Sequence, residues 1–342
     1  MFTDKYPKAK LTHNPTALEQ LSNVSKLFSG PNIWIKRDDC TGLALGGNKV
    51  RQLEYYLGHA LAQNSNTILT AGAIQSNHVR LCVAAAKKLG LDIEVVLAHQ
   101  VSGRQSQYYQ SGNPFLIELM GAKTHHYTEK KDEDSADSML FSIAERLRKE
   151  GKTPYVIPRS DNYLPYGSLG YVDFSAELLQ QCNKLSLKID GIVLASGSGA
   201  TQAGILAGIK ALGFDIPVYG FSVKRDKQAQ TQRVLKKSQL VADMIGFKGI
   251  VNKSDVWISD SMLTPGYGQL NDPMLDAIDL LAQQEGIFLD PTYTSRAMAG
   301  LIELIQQKHF KANQNIVFLH SGGSPALFGY PEVLDDAFYN LE

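Results

Sequence analysis

The chain has 342 residues, 44% hydrophobic and 20% charged, the balance of a folded globular protein with room for a sizeable core. Lys plus Arg and Asp plus Glu both number 34, so the formal net charge is zero. That argues against nucleic acid or an anionic membrane as partner and favours small-molecule chemistry.

The first residues, MFTDKYPKAKLTHNP, are polar and lack the apolar segment of a secretion signal, so a cytoplasmic location is expected. No apolar run approaches the roughly 20 residues that cross a bilayer. In chain order, apolar runs predict strands at 33–38 (IWIKRD), 67–72 (TILTAG), 93–98 (IEVVLA), 154–158 (PYVIP), 191–196 (GIVLAS), 217–223 (PVYGFSV) and 316–320 (IVFLH). They are continuous rather than alternating, as in strands buried on both faces. Between them NHVRLCVAAAKKLG, SMLFSIAERLRKEG and AIDLLAQQEG carry helical spacing, the last two closing on glycine. This alternation predicts an α/β fold of mostly parallel sheets flanked by helices. Three stretches read as loops: 101–114, polar and suited to covering a site; 159–173, a crossover between two domains; and 261–272, rich in turn residues.

Ligands of such folds gather where strands lead into helix starts. In LALGGNKVRQLEYYLG (43–58), Gly46-Gly47-Asn48 is turn chemistry and Val50, Leu53, Leu57 and Leu61 recur at helical spacing, so Lys49 stands at a helix start. The positive end of a helix dipole disfavours a cation there and lowers its pKa; on spacing alone, a solvated lysine is the blander reading. AGAIQSNHVR (71–80) brings Gln75, Ser76, Asn77 and His78 to a second helix start, suited to an anion or simply a Ser76 or Asn77 cap. ASGSGATQAGI (195–205) offers Ser198, Gly199, Ala200 and Thr201 as a phosphate cradle. It is neither a Walker loop nor G-x-G-x-x-G, since Gln202 stands at the third glycine position; Lys224 and Arg225 leave a weak case for an NADP site and an oxidoreductase. DPTYTSRAMAG (290–300) and LHSGGSPALFG (319–329) put Tyr293, Thr294 and Ser321 between apolar runs and helices, where Tyr293 reads equally as a core ring.

Cys40, Cys82 and Cys182 form no CxxC pair, and no cluster of metal ligands or Ser-His-Asp motif competes, so no metal is expected. A lysine, a phosphate cradle, an anion-binding helix start and an aromatic hydroxyl together meet the needs of pyridoxal 5′-phosphate.

At this point IWIKRDDCTGLALGGNKVRQLEYYL, AGAIQSNHVR, ASGSGATQAG, DPTYTSRAMAGL and HSGGSPALFGY resemble, in order and over nearly the whole chain, the 1-aminocyclopropane-1-carboxylate deaminase and D-cysteine desulfhydrase family. Those are fold-type II pyridoxal-phosphate enzymes related to tryptophan synthase β. The resemblance implies that Lys49 is the Schiff-base lysine and that Asn77 contacts the cofactor's phenolic oxygen. Gln75, Ser76, Asn77 and the adjacent His78 would receive the substrate carboxylate, and Ser198, Gly199, Ala200 and Thr201 the phosphate. Tyr293 would lie by the cofactor ring, with Tyr267 a second active-site tyrosine, and Thr294 and Ser321 on the cofactor side.

Two positions bear on activity. The deaminase pattern is DPVYEGKS, with a glutamate where this chain has Thr294, and a leucine where it has Ser321. Hydroxyls at both places resemble D-cysteine desulfhydrases and suit β-elimination, with ring-opening deamination and sulfite elimination from cysteate as alternatives. One departure stands out: Gln52 occupies the position of a second, phosphate-site lysine. The resemblance also implies a homodimer, a small amino acid as substrate, and two domains, 1–51 plus 164–342 and an inserted 52–163.

Overall fold

The computed structural model describes residues 1–128 and 133–334. Ten strands fall into two sheets. One has six strands, β1 (Leu18–Gln20), β2 (Asn32–Lys36), β7 (Gly191–Ser196), β8 (Val218–Ser222), β9 (Trp257–Ser259) and β10 (Asn315–Leu319), in the order β1-β2-β10-β7-β8-β9. The other has four, β3 (Thr67–Ala73), β4 (Asp92–Ala98), β5 (Lys123–Tyr127) and β6 (Pro154–Ile157), in the order β5-β4-β3-β6. Every pairing is parallel except β1 with β2. The fold is thus the parallel α/β architecture expected.

Eleven helices connect these strands among the described residues: α1 (Ser22–Phe28), α2 (Lys49–Ala62), α3 (Asn77–Lys88), α4 (Ser106–Gln110), α5 (Asn113–Leu119), α6 (Glu133–Lys149), α7 (Leu169–Lys184), α8 (Ala200–Ala211), α9 (Lys227–Met244), α10 (Asp272–Glu285) and α11 (Thr294–Gln306). None is long and apolar enough to cross a membrane. All seven expected strands are present with ends shifted by at most two residues. β1, β5 and β9 were not expected: two have three residues, and β5 (KTHHY) is polar and lies at a sheet edge, so none carries a buried apolar run. The loop expected at 101–114 contains α4 and the start of α5, two elements too short and polar to show a period.

Behind α2 lies a buried polar cluster that fixes its start. Arg51, 2% exposed, donates from Nε to Asp38 Oδ2 (2.9 Å) and from Nη1 and Nη2 to Glu177 (both 2.9 Å). Lys36 donates to Glu177 Oε1 (2.6 Å) and the Tyr171 hydroxyl to Asp38 Oδ2 (2.7 Å). A guanidinium so deep requires charged partners on several sides, and those partners come from β2 and α7. Lys49, two residues earlier, inherits a rigid support.

Candidate active site

A cavity opens where the carboxyl ends of strands from both sheets meet. Its walls include Lys49, Ser76, Asn77, His78, Ser198, Gly199, Ala200, Thr201, Tyr267, Tyr293 and Ser321, so eleven of the expected site residues come together. Gln75 and Thr294 are not in its lining.

Lys49 is the first residue of α2, behind a turn that only glycine serves well. Gly46 has φ +65°, and a Cβ there would meet Asp39 O at 1.8 Å. Thr41 braces the turn, its hydroxyl accepting from Gly47 N (2.8 Å) and donating to Gly47 O (3.0 Å), while Asn48 N donates to Ser321 O (2.9 Å). Loss of water around the amine, reinforced by the Arg159 cation, lowers the Lys49 pKa to about 8. The amine is therefore readily deprotonated, chiefly because of desolvation.

The start of α3 is held from behind by Arg80, which is completely buried. Its Nη1 donates to Asn113 Oδ1 (2.6 Å) and Asn77 Oδ1 (3.0 Å), and its Nη2 to Gly46 O (2.8 Å). Asn113 Nδ2 also donates to Asn77 Oδ1 (2.9 Å). With its oxygen so engaged, Asn77 has its Nδ2 left as the free donor on the cavity side, beside Gly323, where a Cβ would come within 2.7 Å of it. Ser76 caps the helix by accepting from Val79 N (3.2 Å), and α3's other first-turn N–H groups have no intrahelical acceptor. His78 bonds Thr70 Oγ1 (2.9 Å); burial, then the Lys49 and Arg159 charges, push its pKa down to about 3, so it is neutral at neutral pH. Gln75 turns away, donating to Tyr108 O and Ser111 O and accepting from Asn113 N.

At the third helix start, Gly199 adopts φ +80° and α8 begins at Ala200 with exposed N–H groups. Asn48 Nδ2 (3.1 Å) and Gln52 Nε2 (3.0 Å) both donate to Thr201 Oγ1. Gln52 therefore joins α2 to this loop. The loop is pinned outside by Arg225 and Gln230 donating to Gly197 O and by Arg233 donating to Ser198 O. Tyr293 lies against it, 3.3 Å from where a Gly197 Cβ would stand, and its hydroxyl shares a 2.8 Å hydrogen bond with Tyr267. Thr294 spends its hydroxyl locally, accepting from Asp290 N (2.7 Å) and donating to Asp290 Oδ1 (2.8 Å). His320 Nε2 bonds Phe288 O (3.0 Å) and its Nδ1 accepts from Gly322 N (3.2 Å).

Sequence reasoning missed Arg159, Asn48 and Lys237 in the cavity wall and Arg80 behind it. Arg159 had a usable signal, since it directly follows an expected strand, at the end where ligands collect. Arg80, inside a helical run, carried none. No group of three or more potential metal ligands lies together among the described residues.

The donor set fits pyridoxal phosphate: an amine of lowered pKa, an amide N–H₂ left free in the wall, and an uncapped helix start behind small residues. The chain belongs to the pyridoxal-phosphate dependent enzyme family, whose model matches residues 9–322. It is thus a pyridoxal-phosphate enzyme of fold type II, and the nicotinamide reading gives way; Arg225 is occupied by Glu133 (2.8 Å) and Gly197 O (3.2 Å). Within the family it is similar to the D-cysteine desulfhydrase of Salmonella paratyphi C (strain RKS4594), 39% identical over 326 residues, 95% of this chain and 97% of that protein. That of Salmonella typhi matches with the same identity and coverage. A solved ACC deaminase homologue superposes with a TM-score of 0.86 at 35% identity, covering 97% of this chain and 98% of that one. O-ureido-L-serine synthase shares the fold, with a TM-score of 0.66 at 15% identity, over 99% and 98% of the two chains.

Proposed function

We propose that this enzyme is a carbon–sulfur lyase that converts D-cysteine and water to pyruvate, hydrogen sulfide and ammonia. The 39% identity to D-cysteine desulfhydrases over almost the whole chain is the observation that carries the reading. Pyridoxal phosphate, when bound, supplies an aldehyde for the substrate amine and an electron sink for the charge developing at Cα.

The protein's own parts divide the remaining work. Lys49 holds the cofactor and, once displaced by the substrate amine, is the base for the Cα proton, favoured by its pKa of about 8. The start of α3, with Ser76 and Asn77, receives the substrate carboxylate, and Asn77 Nδ2 faces the cofactor's phenolic oxygen. The α8 start, with Ser198, Gly199, Ala200 and Thr201, takes the phosphate. Neutral His78 lends that end a polar wall without adding charge. The Tyr293–Tyr267 pair flanks the cofactor ring and the leaving group. No carboxylate follows Tyr293, which suits loss of a good leaving group better than opening of an unactivated ring. As the thiolate departs, Lys49 returns to the cofactor and aminoacrylate is released, to hydrolyse to pyruvate and ammonia.

The sheet memberships support reading 52–163 as an inserted domain and 1–51 plus 164–342 as the larger one. A homodimer in the cytoplasm completes the proposal, and light scattering of the purified protein tests the dimer. Pyruvate formation from D-cysteine, L-cysteine and 1-aminocyclopropane-1-carboxylate, run in parallel, tests the activity: D-cysteine should win, and a preference for the cyclopropane would replace this reading with deamination.

A further inference from the structure

We propose that Arg159 and Lys224 form an anion subsite for the substrate's β-substituent, so that this enzyme takes amino acids whose leaving group is negatively charged. The inference rests on the elimination reading above and specifies the class of substrate for that site.

The charges around the cavity do not balance. Glu133, in its wall, is held by Arg225 (2.8 Å) and Arg233 (2.9 Å). Asp161 is held by Arg233 (2.7 Å) and Lys237 (2.5 Å). Those three cations are matched. Arg159 and Lys224 also line the cavity, and among the described residues neither is paired with a carboxylate. Arg159 Nη1 is shut off from solvent with no hydrogen-bond partner. A guanidinium nitrogen in that condition gives up hydration without return unless an anion arrives. Lys224 Nζ lies 6.0 Å from the centre of the Tyr267 ring, whose hydroxyl bonds Tyr293.

The cofactor phosphate already has its cradle in the α8 start and the Thr201 hydroxyl, where Asn48 and Gln52 converge. Lys224 lies instead beside the tyrosine pair. Arg159 acts on the same end, because its charge lowers the pKa of both Lys49 and His78. A planar fork and an ammonium converging on one space suit a sulfonate, a phosphate ester or a thiolate. In the elimination, the base takes the Cα proton, the Cα–Cβ double bond forms, and the Cβ–substituent bond breaks with its electron pair leaving on the substituent. Facing cations stabilise that departing pair most at the moment of cleavage. With a sulfonate, cysteate and water yield pyruvate, ammonia and bisulfite, and no oxidant is needed.

The test compares substituents on the holoenzyme. Pyruvate release is followed from both enantiomers of cysteate and from β-chloro-D-alanine, whose substituent is uncharged, in wild type, Arg159→Met and Arg159→Lys. Pyridoxal-phosphate affinity of each protein is measured separately by fluorescence titration. Wild type should release pyruvate from cysteate, and Arg159→Met should lose about tenfold to a hundredfold in kcat/KM for it, the worth of one hydrogen bond to a charged group. Turnover of β-chloro-D-alanine and cofactor affinity should stay close to wild type, and Arg159→Lys should recover part of the loss. Equal losses with both substrates, or no pyruvate from cysteate by a wild type that converts β-chloro-D-alanine, would overturn the proposal. So would weakened cofactor binding in Arg159→Met, which would assign Arg159 to the phosphate. A wild type that eliminates none of these, D-cysteine included, would instead remove the elimination reading itself.

Discussion

Replacing Arg80 with methionine keeps the length of the side chain and removes every donor. Arg80 now serves three acceptors: Asn113 Oδ1 at 2.6 Å, Gly46 O at 2.8 Å and Asn77 Oδ1 at 3.0 Å. Burial lowers its pKa only to about 10, so it stays charged at neutral pH. Each buried acceptor left without a donor costs about 1–3 kcal/mol. Two effects pull the sum down: Asn113 Nδ2 still donates to Asn77 Oδ1, and removing a buried cation recovers desolvation energy. A net loss of about 3 kcal/mol follows, or a Tm lower by about 6 °C for a chain of this size. Arg80 also fixes which way the Asn77 amide points and steadies the turn before Lys49, so the apoenzyme should bind pyridoxal phosphate more weakly. Thermal melts of the holoenzyme and a fluorescence titration of the apoenzyme read the two effects. A Tm within about 1 °C of wild type, with unchanged cofactor affinity, would refute the argument that Arg80 organises the site.

Three further outcomes are expected. Because the Lys49 pKa is lowered to about 8, cofactor capture by the apoenzyme should quicken as pH rises through that value. Arg159→Met removes a cation that opposes the protonated lysine, so its capture profile should move to higher pH; no shift would contradict the coupling. Burial alone would raise the Glu177 pKa, but Arg51 and Lys36 overrule it and hold the carboxyl down to about 2. Its stabilising effect is present above the ordinary carboxylate range and lost as pH falls toward 2, so the Tm gap between wild type and Glu177→Gln should narrow over that window; a gap independent of pH would count against the ion cluster. Gly46→Ala should lower the Tm and weaken cofactor binding together, since its Cβ needs space that Asp39 O occupies at 1.8 Å; a neutral melt would show that the turn can yield.

How much of this could be read from the residues varies with the kind of signal. The seven buried strands announced themselves as continuous apolar runs, whereas β1, β5 and β9 lie at sheet edges or are too short to need one. Lys49 and the 198–201 loop were visible because glycine and small-residue turns before helices have few other uses. Arg80 and Arg159 were not, because a charged residue's role depends on what long-range packing brings to it: Gly46 and Asn113 for the one, Lys49 and His78 for the other. Gln52 was seen only as a break in a pattern; its hydrogen bond to Thr201 spans 149 positions, which no local spacing encodes. Thr294 shows the reverse, a hydroxyl conspicuous in the motif whose hydrogen bonds go to Asp290.

The central claim is that Lys49 holds pyridoxal phosphate and turns over D-cysteine, and one measurement addresses it most directly. Wild type and Lys49→Ala, each supplied with pyridoxal phosphate, are given D-cysteine while pyruvate and sulfide are followed together. Wild type should be yellow, bleach with borohydride, and release pyruvate and sulfide in equal amounts, while Lys49→Ala should form neither. A colourless wild type, or sulfide released by Lys49→Ala at the wild-type rate, would contradict the account.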